Sequence, residues 1–402
     1  MTVLTRRNLI ARISAAALVA QLPGLSFAAA PGERRFVLVL LRGALDGLSA
    51  VPPYSDPNYA SARGELAIAP PGAAQGALRL DSAFGLHPAL PQLHARYQAR
   101  ELIALHAVAT PYRERSHFDA QNLLENGTPR PSGAASGWLN RALAAVAAQH
   151  SHESGLALGQ NVPLVLRGDA PVATWAPSTL PDVEPELLQR LATLYAGDPV
   201  LSARLAEAAS VDALAEDEAP GRSSARPRTG NVQRLKLMAE TAGKLLSAAD
   251  GPRVAVLESS GWDTHAQQGG ATGQLATRLR GLDDVLGALA GSMKGVWPGT
   301  AVLVVTEFGR TVARNGSRGT DHGTAACALL FGGAVAGGRV IADWPGLGAR
   351  ARHEGRDLAP TLDLRSVFKS VLHDHLRVPA AALERDVFPD STAARALPDL
   401  IR

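Results

Sequence analysis

Five short apolar runs, separated by helical stretches, predict an α/β fold with a doubly wound, mostly parallel sheet. The runs are residues 36–41, 102–108, 254–257, 301–305 and 326–331. Each is rich in Leu or β-branched residues and none alternates cleanly with polar ones, the pattern of strands covered on both faces. Between them, residues 274–291 set Leu275, Leu279, Leu282, Leu286 and Leu289 at spacings of three and four, one apolar face of a helix. Residues 231–247 repeat the pattern with Val232, Leu235, Met238 and Leu246. Strands alternating with helices call for a sheet with helices on both sides.

The middle of the chain breaks this rhythm. Residues 184–216 are Ala-rich and read as helical, whereas 216–230 are polar, hold Pro, Gly and Ser, and lack periodicity, as a loop does. We expect residues from about 160 to 230 to be an insertion covering one edge of the sheet in a single domain spanning 31–402. Ahead of that domain lies a different kind of segment. Arg6-Arg7 precedes an apolar run from Ile13 to about Leu25, and Ala28-Ala29-Ala30 then offers small residues for cleavage. A positive end, a short apolar middle and an A-x-A-like site make a secretory signal. The paired arginines assign it to the twin-arginine route, with the translocation machinery as partner and the periplasm or exterior as destination. The run is shorter than the roughly 20 residues a membrane span needs.

Charge argues against a polyanionic partner. The chain carries +3, and Arg6, Arg7 and Arg12 account for three positive charges, so the rest is near neutral. No basic stripe interleaved with aromatics is present, which excludes nucleic acid as a partner. Cys327 is the only cysteine, so no internal disulfide can form, and its apolar run marks it as a buried thiol.

The chemistry-bearing residues cluster just after the expected strands. Asp46 follows the first, Tyr112 to Asp119 the second, Asp263-Thr264-His265 the strand at 254, and Glu307 and Arg310 the strand at 301; Asp321-His322 ends the next loop. Ligands of open α/β sheets bind beyond the carboxyl ends of strands, so these segments converge on one edge. Carboxylates mixed with imidazoles suit a divalent metal, because acids gathered on one rim would otherwise repel or take up protons. The candidate metal ligands are Asp46, Asp263, His265, Glu307, Asp321 and His322. Each has a plainer reading, as a helix cap, a loop hydrogen bond or, for Glu307, a structural pair with Arg310. His87, His94 and His106 lack clustered acids and read as surface or hydrogen-bonded core histidines.

Taken together, the paired arginines, "LRGALDGL", "RSHFDAQ", "GWDTH", "TEFGRT" and "GTDHG" resemble the DUF1501 family over nearly the whole chain after the signal. That family in turn looks like a branch of the alkaline phosphatase and sulfatase superfamily. The resemblance implies a three-layer α/β/α sandwich with one or two divalent ions (Zn, Mn, Mg or Ca) above the sheet. It implies that Asp46 and Glu307 hold one metal, that Asp263, His265, Asp321 and His322 hold a second or orient the leaving oxygen, and that Ser116 is the nucleophile at a helix start. His117 and Arg310 complete the candidate catalytic group, with Arg42 as a further cation. Phe308 departs from the pattern, standing where the superfamily has a ligating His.

Two functions follow. The first is a periplasmic metal-dependent hydrolase of phosphate or sulfate esters, with a small molecule or glycan ester as substrate. The second is a non-catalytic member acting as an envelope binding or assembly protein, which Phe308 favours. No G-x-S-x-G, P-loop or strand-linked G-x-G-x-x-G is present, which sets aside a serine esterase and a nucleotide-binding enzyme. The export signal is tested by changing Arg6→Lys and Arg7→Lys together. Cell fractionation should find the wild-type chain outside the cytoplasm and the double variant retained within it.

Overall fold

The computed structural model describes residues 34–147, 155–177, 185–206, 231–249 and 251–402. The twin-arginine segment and the loop expected at 216–230 lie outside them. Nine strands form one sheet: β1 (Arg35–Arg42), β2 (Leu102–Ala109), β3 (Gly155–Leu158), β4 (Val172–Trp175), β5 (Val254–Ser260), β6 (Thr300–Thr306), β7 (Ala326–Phe331), β8 (Arg339–Ile341) and β9 (Leu362–Asp363). Their order is β8-β2-β7-β6-β1-β5-β3-β4, with β9 also paired to β2. The helices that matter below are α1 (Pro91–Gln98), α2 (His117–Asn126), α3 (Trp138–Ala147), α4 (Asn231–Ser247), α5 (Gln274–Ser292) and α6 (Leu364–Ser370).

The two faces of β1 show why the apolar runs do not alternate. Val37, Val39 and Leu41 join a core built with α1, α4 and α5, including Leu93, Leu245, Leu279 and Leu286. Phe36, Leu38 and Leu40 join the opposite core with Leu139 and Leu143 of α3 and Val367 and Phe368 of α6. Successive side chains of a strand point to opposite faces, so a strand between two helical layers must be apolar at every position. Each such side chain, fully buried, contributes about 1.5–3 kcal/mol. The result is a mostly parallel central sheet flanked by helices on both faces. No helix among the described residues is long and apolar enough to cross a membrane.

Part of the expected insertion belongs to the sheet itself. β4 lies inside the 160–230 stretch and, with β3, extends the sheet beyond β5 in parallel pairing. Both strands have only four residues, too short for a periodic signal to show.

One strand runs against the others. β7 pairs antiparallel with both β2 and β6, whereas β1 is parallel to β5 and β6. The chain therefore leaves β6 at its carboxyl end, stays on that edge through residues 307–325, and re-enters as β7. Glu307 and His322 share one edge for this reason. So do the segments after β1, β2 and β5, because those strands are mutually parallel.

His106 and His375 are core histidines kept neutral. His106 Nε2 lies 3.0 Å from the Val51 carbonyl and its Nδ1 accepts the Ala107 N–H at 2.8 Å. His375 Nε2 meets the Arg35 carbonyl at 2.8 Å. Burial pushes both rings down to about 4. The native state then binds fewer protons than the unfolded chain, whose histidines titrate near 6.5. Stability is full above that pH and falls as pH drops toward 4, by up to about 3 kcal/mol per ring. Urea midpoints should fall between pH 6.5 and 4.5 for the wild type and less steeply for His106→Gln. An equal fall in both proteins is the contrary result.

Candidate metal centre

His117 occupies the first position of α2, directly after Ser116 in extended conformation. Its Nδ1 lies 2.8 Å from Glu307 Oε1, the first residue beyond β6. Glu307 is buried, and the same oxygen accepts from Gly43 N–H at 2.8 Å and Gln121 Nε2 at 3.1 Å. Burial alone would raise its pKa, but hydrogen bonds from His117, Gln121 and Gly43 outweigh it and hold the carboxyl below its usual range. Gly43 has φ +117°, and a Cβ there would come within 2.7 Å of Asp263 N. Only glycine lets the chain after β1 press against the chain after β5.

Three imidazoles converge here. His117 Nε2 lies 2.9 Å from His322 Nε2, and His265 Nε2 lies 3.0 Å from the same atom. Asp263 joins them, with Oδ1 at 3.0 Å from His265 Nε2 and 3.3 Å from His322 Nε2, and Oδ2 at 3.5 Å from His117 Nε2. His117, Asp263 and His322 each offer a ligand atom within 4.8 Å of the others.

The other ring nitrogens fix the tautomers. His117 Nδ1 faces Glu307, His322 Nδ1 faces the Arg115 carbonyl at 3.1 Å, and His265 Nδ1 faces Asp321 Oδ1 at 3.3 Å. A carbonyl or ionised carboxylate only accepts, so each Nδ1 carries the hydrogen. Each neutral ring then presents a lone pair at Nε2, and His322 Nε2 faces two others. Lone pairs at such distances repel unless a cation lies among them. Donors about 2.0 Å from one ion stand about 3.3 Å apart when tetrahedral, and His117, Asp263 and His322 are spaced in this way, with His265 beside Asp263 and His322 but outside that group of three. The arrangement also has the outer hydrogen bonds that orient metal-ligating histidines. The residues fit a divalent ion.

Charge follows the same geometry. Hydrogen bonding to Glu307 raises the pKa of His117, whereas burial and the nearby His117 and Arg310 lower that of His322. Burial of Asp263 is outweighed by Arg310, which holds its carboxyl low. The centre is closed on one side, where the Glu307 and Arg310 side chains are 1% and 0% exposed, and open on the other, where Asp263 and His265 are 39% and 43% exposed. Phe308, the residue departing from the resemblance, is buried and stacks on His117 at 4.9 Å between ring centroids, with His322 at 5.1 Å. It cannot ligate, but it fixes the planes of two rings that can.

Several expected roles are redistributed. Asp263, His265 and His322 point inward as ligands would. Glu307 and Asp321 instead hold histidine N–H groups. His117, expected among the catalytic residues, turns its Nε2 into the same cluster as Asp263 and His322. Asp46 stands apart, fully buried in an ion pair with Arg63 and accepting from Ser49 Oγ at 2.8 Å and Gln268 Nε2 at 2.6 Å. It lies four residues beyond β1, where the buried guanidinium supplies its counter-charge. Arg310 reaches the centre only through Asp263; its Nε donates to Thr320 Oγ1 at 3.1 Å. Arg42 is engaged by Glu258 at 2.7 Å and Glu125 at 2.9 Å. The Ser116 backbone N–H donates to Tyr112 Oη at 3.3 Å, and that hydroxyl lies 3.2 Å from Asp119 Oδ2. A sequence signal for His117 exists: it follows β2 among acids and hydroxyls, on the edge where the other candidate ligands gather.

Solved structures similar to this chain have low identity. Ps i-CgsB in complex with k-i-k-neocarrahexaose is 9% identical, with 89% of this chain and 74% of that one covered at a TM-score of 0.44. Phosphonate monoester hydrolase of Agrobacterium radiobacter is 12% identical, with 86% and 74% covered at 0.38. A protein in the alkaline phosphatase superfamily from Vibrio parahaemolyticus is 13% identical, with 76% and 62% covered at 0.37. No curated protein matches the chain. Residues 33–387 match the model of DUF1501, described as a protein of unknown function, and the chain belongs to that family.

Proposed function

We propose that this protein is an exported, metal-dependent hydrolase of phosphate or sulfate esters. The observation that carries the reading is the convergence of the His117 and His322 Nε2 atoms on Asp263, with His265 alongside and each ring held by an acceptor at Nδ1. Two imidazole nitrogens and a carboxylate, with a third imidazole alongside, suit zinc or a similar first-row ion better than magnesium or calcium, which prefer oxygen. When bound, such an ion polarises an ester oxygen and stabilises the charge that builds on it.

The chain's own residues supply the rest. Arg310 keeps Asp263 ionised and fixed. Glu307, Asp321 and the Arg115 carbonyl keep three lone pairs aimed inward. Substrate enters from the side where Asp263 and His265 are exposed. Ser116, beside His117 at the helix start, is the nucleophile: its Oγ displaces the ester's alcohol from phosphorus or sulfur, the serine proton leaves with that alcohol, and water then releases the acid and restores the serine. The buried Asp46–Arg63 pair favours one ion over two, since a guanidinium already answers that carboxylate.

Metal content and turnover test this together. Natively purified protein should hold about one ion per chain, and His322→Ala should lose it. With p-nitrophenyl phosphate or sulfate, Ser116→Ala should keep the ion and lose at least about 100-fold in kcat, as for loss of a nucleophile. A metal-loaded wild type without turnover on either ester favours the binding role instead.

A further inference from the structure

Two segments that carry metal-facing histidines are tied by one carboxylate far from either in sequence. Asp357 is fully buried on a loop ahead of β9. Its Oδ2 accepts from Arg115 Nε at 2.9 Å, and its Oδ1 from Arg356 Nε at 2.8 Å. Both arginines then act on His322. The Arg115 carbonyl takes the Nδ1 hydrogen at 3.1 Å, and Arg356 Nη2 donates to the His322 carbonyl at 2.7 Å. The ring and the backbone of one imidazole residue are thus held by two partners of the same acid.

Arg115 pays for its place with backbone strain. Its φ is +62°, a left-handed conformation that a side chain with Cβ rarely adopts. That conformation aims its carbonyl at His322. It also sets the turn into Ser116 and His117, two residues on, so the ion pair that holds Arg115 also fixes the start of α2. The loop is anchored independently: Asp357 bridges Thr311, Val312 N–H donates to the Arg356 carbonyl at 3.3 Å, and Thr311 N–H donates to the Asp321 carbonyl at 2.9 Å. Asp357 therefore sits at a junction of the segments bearing His117 and His322.

We propose that Asp357 is a positioning residue of the metal centre, holding His322 in its Nδ1–H form and setting its lone pair toward the ion through Arg115 and Arg356. Its charge has a second effect. Two guanidiniums stand beside a site for a cation; the buried carboxylate offsets one of their charges, and Glu354 pairs with Arg115 as well. Asn at this position keeps the shape, loses the charge and leaves one more uncompensated positive charge to oppose the ion. This inference rests on the metal-centre reading, and the experiment separates the two.

The test compares wild type, Asp357→Asn and Glu354→Gln as full chains. Zn²⁺ affinity is measured by chelator competition, and the His322 tautomer by ¹⁵N-histidine NMR of the metal-free proteins. Asp357→Asn should weaken Zn²⁺ binding about 10–100-fold, the usual effect of losing an outer partner, and should populate the Nε2–H form of His322. Glu354→Gln removes only an exposed partner of Arg115 and should stay within about twofold of wild type. Wild-type affinity and tautomer in Asp357→Asn, even with a lowered melting temperature, overturn the proposal. A wild type that binds no Zn²⁺ overturns the metal-centre reading, while the tautomer still decides the role of Asp357. If Asp357→Asn does not fold, Arg356→Met takes its place: a several-fold loss of affinity supports the proposal and unchanged affinity overturns it.

Discussion

Three imidazoles cannot hold their lone pairs toward one another without something positive among them, and much of the local structure enforces that arrangement. Glu307, Asp321 and the Arg115 carbonyl each claim a ring hydrogen at Nδ1, so each of the three histidines in its neutral form turns a lone pair inward. Phe308 fixes two ring planes from below. Arg310 fixes Asp263 from the buried side, and Thr320 links Arg310 to Gln268 and so to Asp46. A polar chain thus runs from the open rim into the core, with opposite charges alternating along it.

The fold makes this possible through its sheet directions. Strands β1, β2, β5 and β6 deliver their following segments to one edge. The antiparallel β7 keeps the chain on that edge between residues 307 and 325 instead of carrying it across. Backbone fit is as tight as the polar fit: a Cβ on Gly319 would lie 2.4 Å from the His265 carbonyl group. The glycines beside the acids are there because loops from different strands touch.

Much of this was legible in the sequence. Doubly buried strands announce themselves as unbroken apolar runs, and all five expected runs are strands of the sheet. The edge that gathers chemistry follows from parallel strands alone. What could not be read was which polar atom faces which. Asp46 and Asp263 look alike as acids after strands, yet Arg63, near in sequence but unremarkable there, claims the first, while the second stays at the open rim. Glu307 reads equally as ligand or as hydrogen-bond partner until His117, 190 residues away, is seen against it. The short strands β3 and β4 have no periodic signal, and the roles of Arg115 and Asp357 exist only through contacts across 242 residues.

The clasp around Asp357 also orders events in time. A growing chain emerges from its amino end, so His117 and Asp263 are made long before the acid that holds the geometry of the third imidazole. A nascent chain halted before residue 357 has all four inward-facing side chains but not the clasp that aligns two of them. The alignment of the third imidazole thus waits for residue 357, whatever the order in which the strands pair.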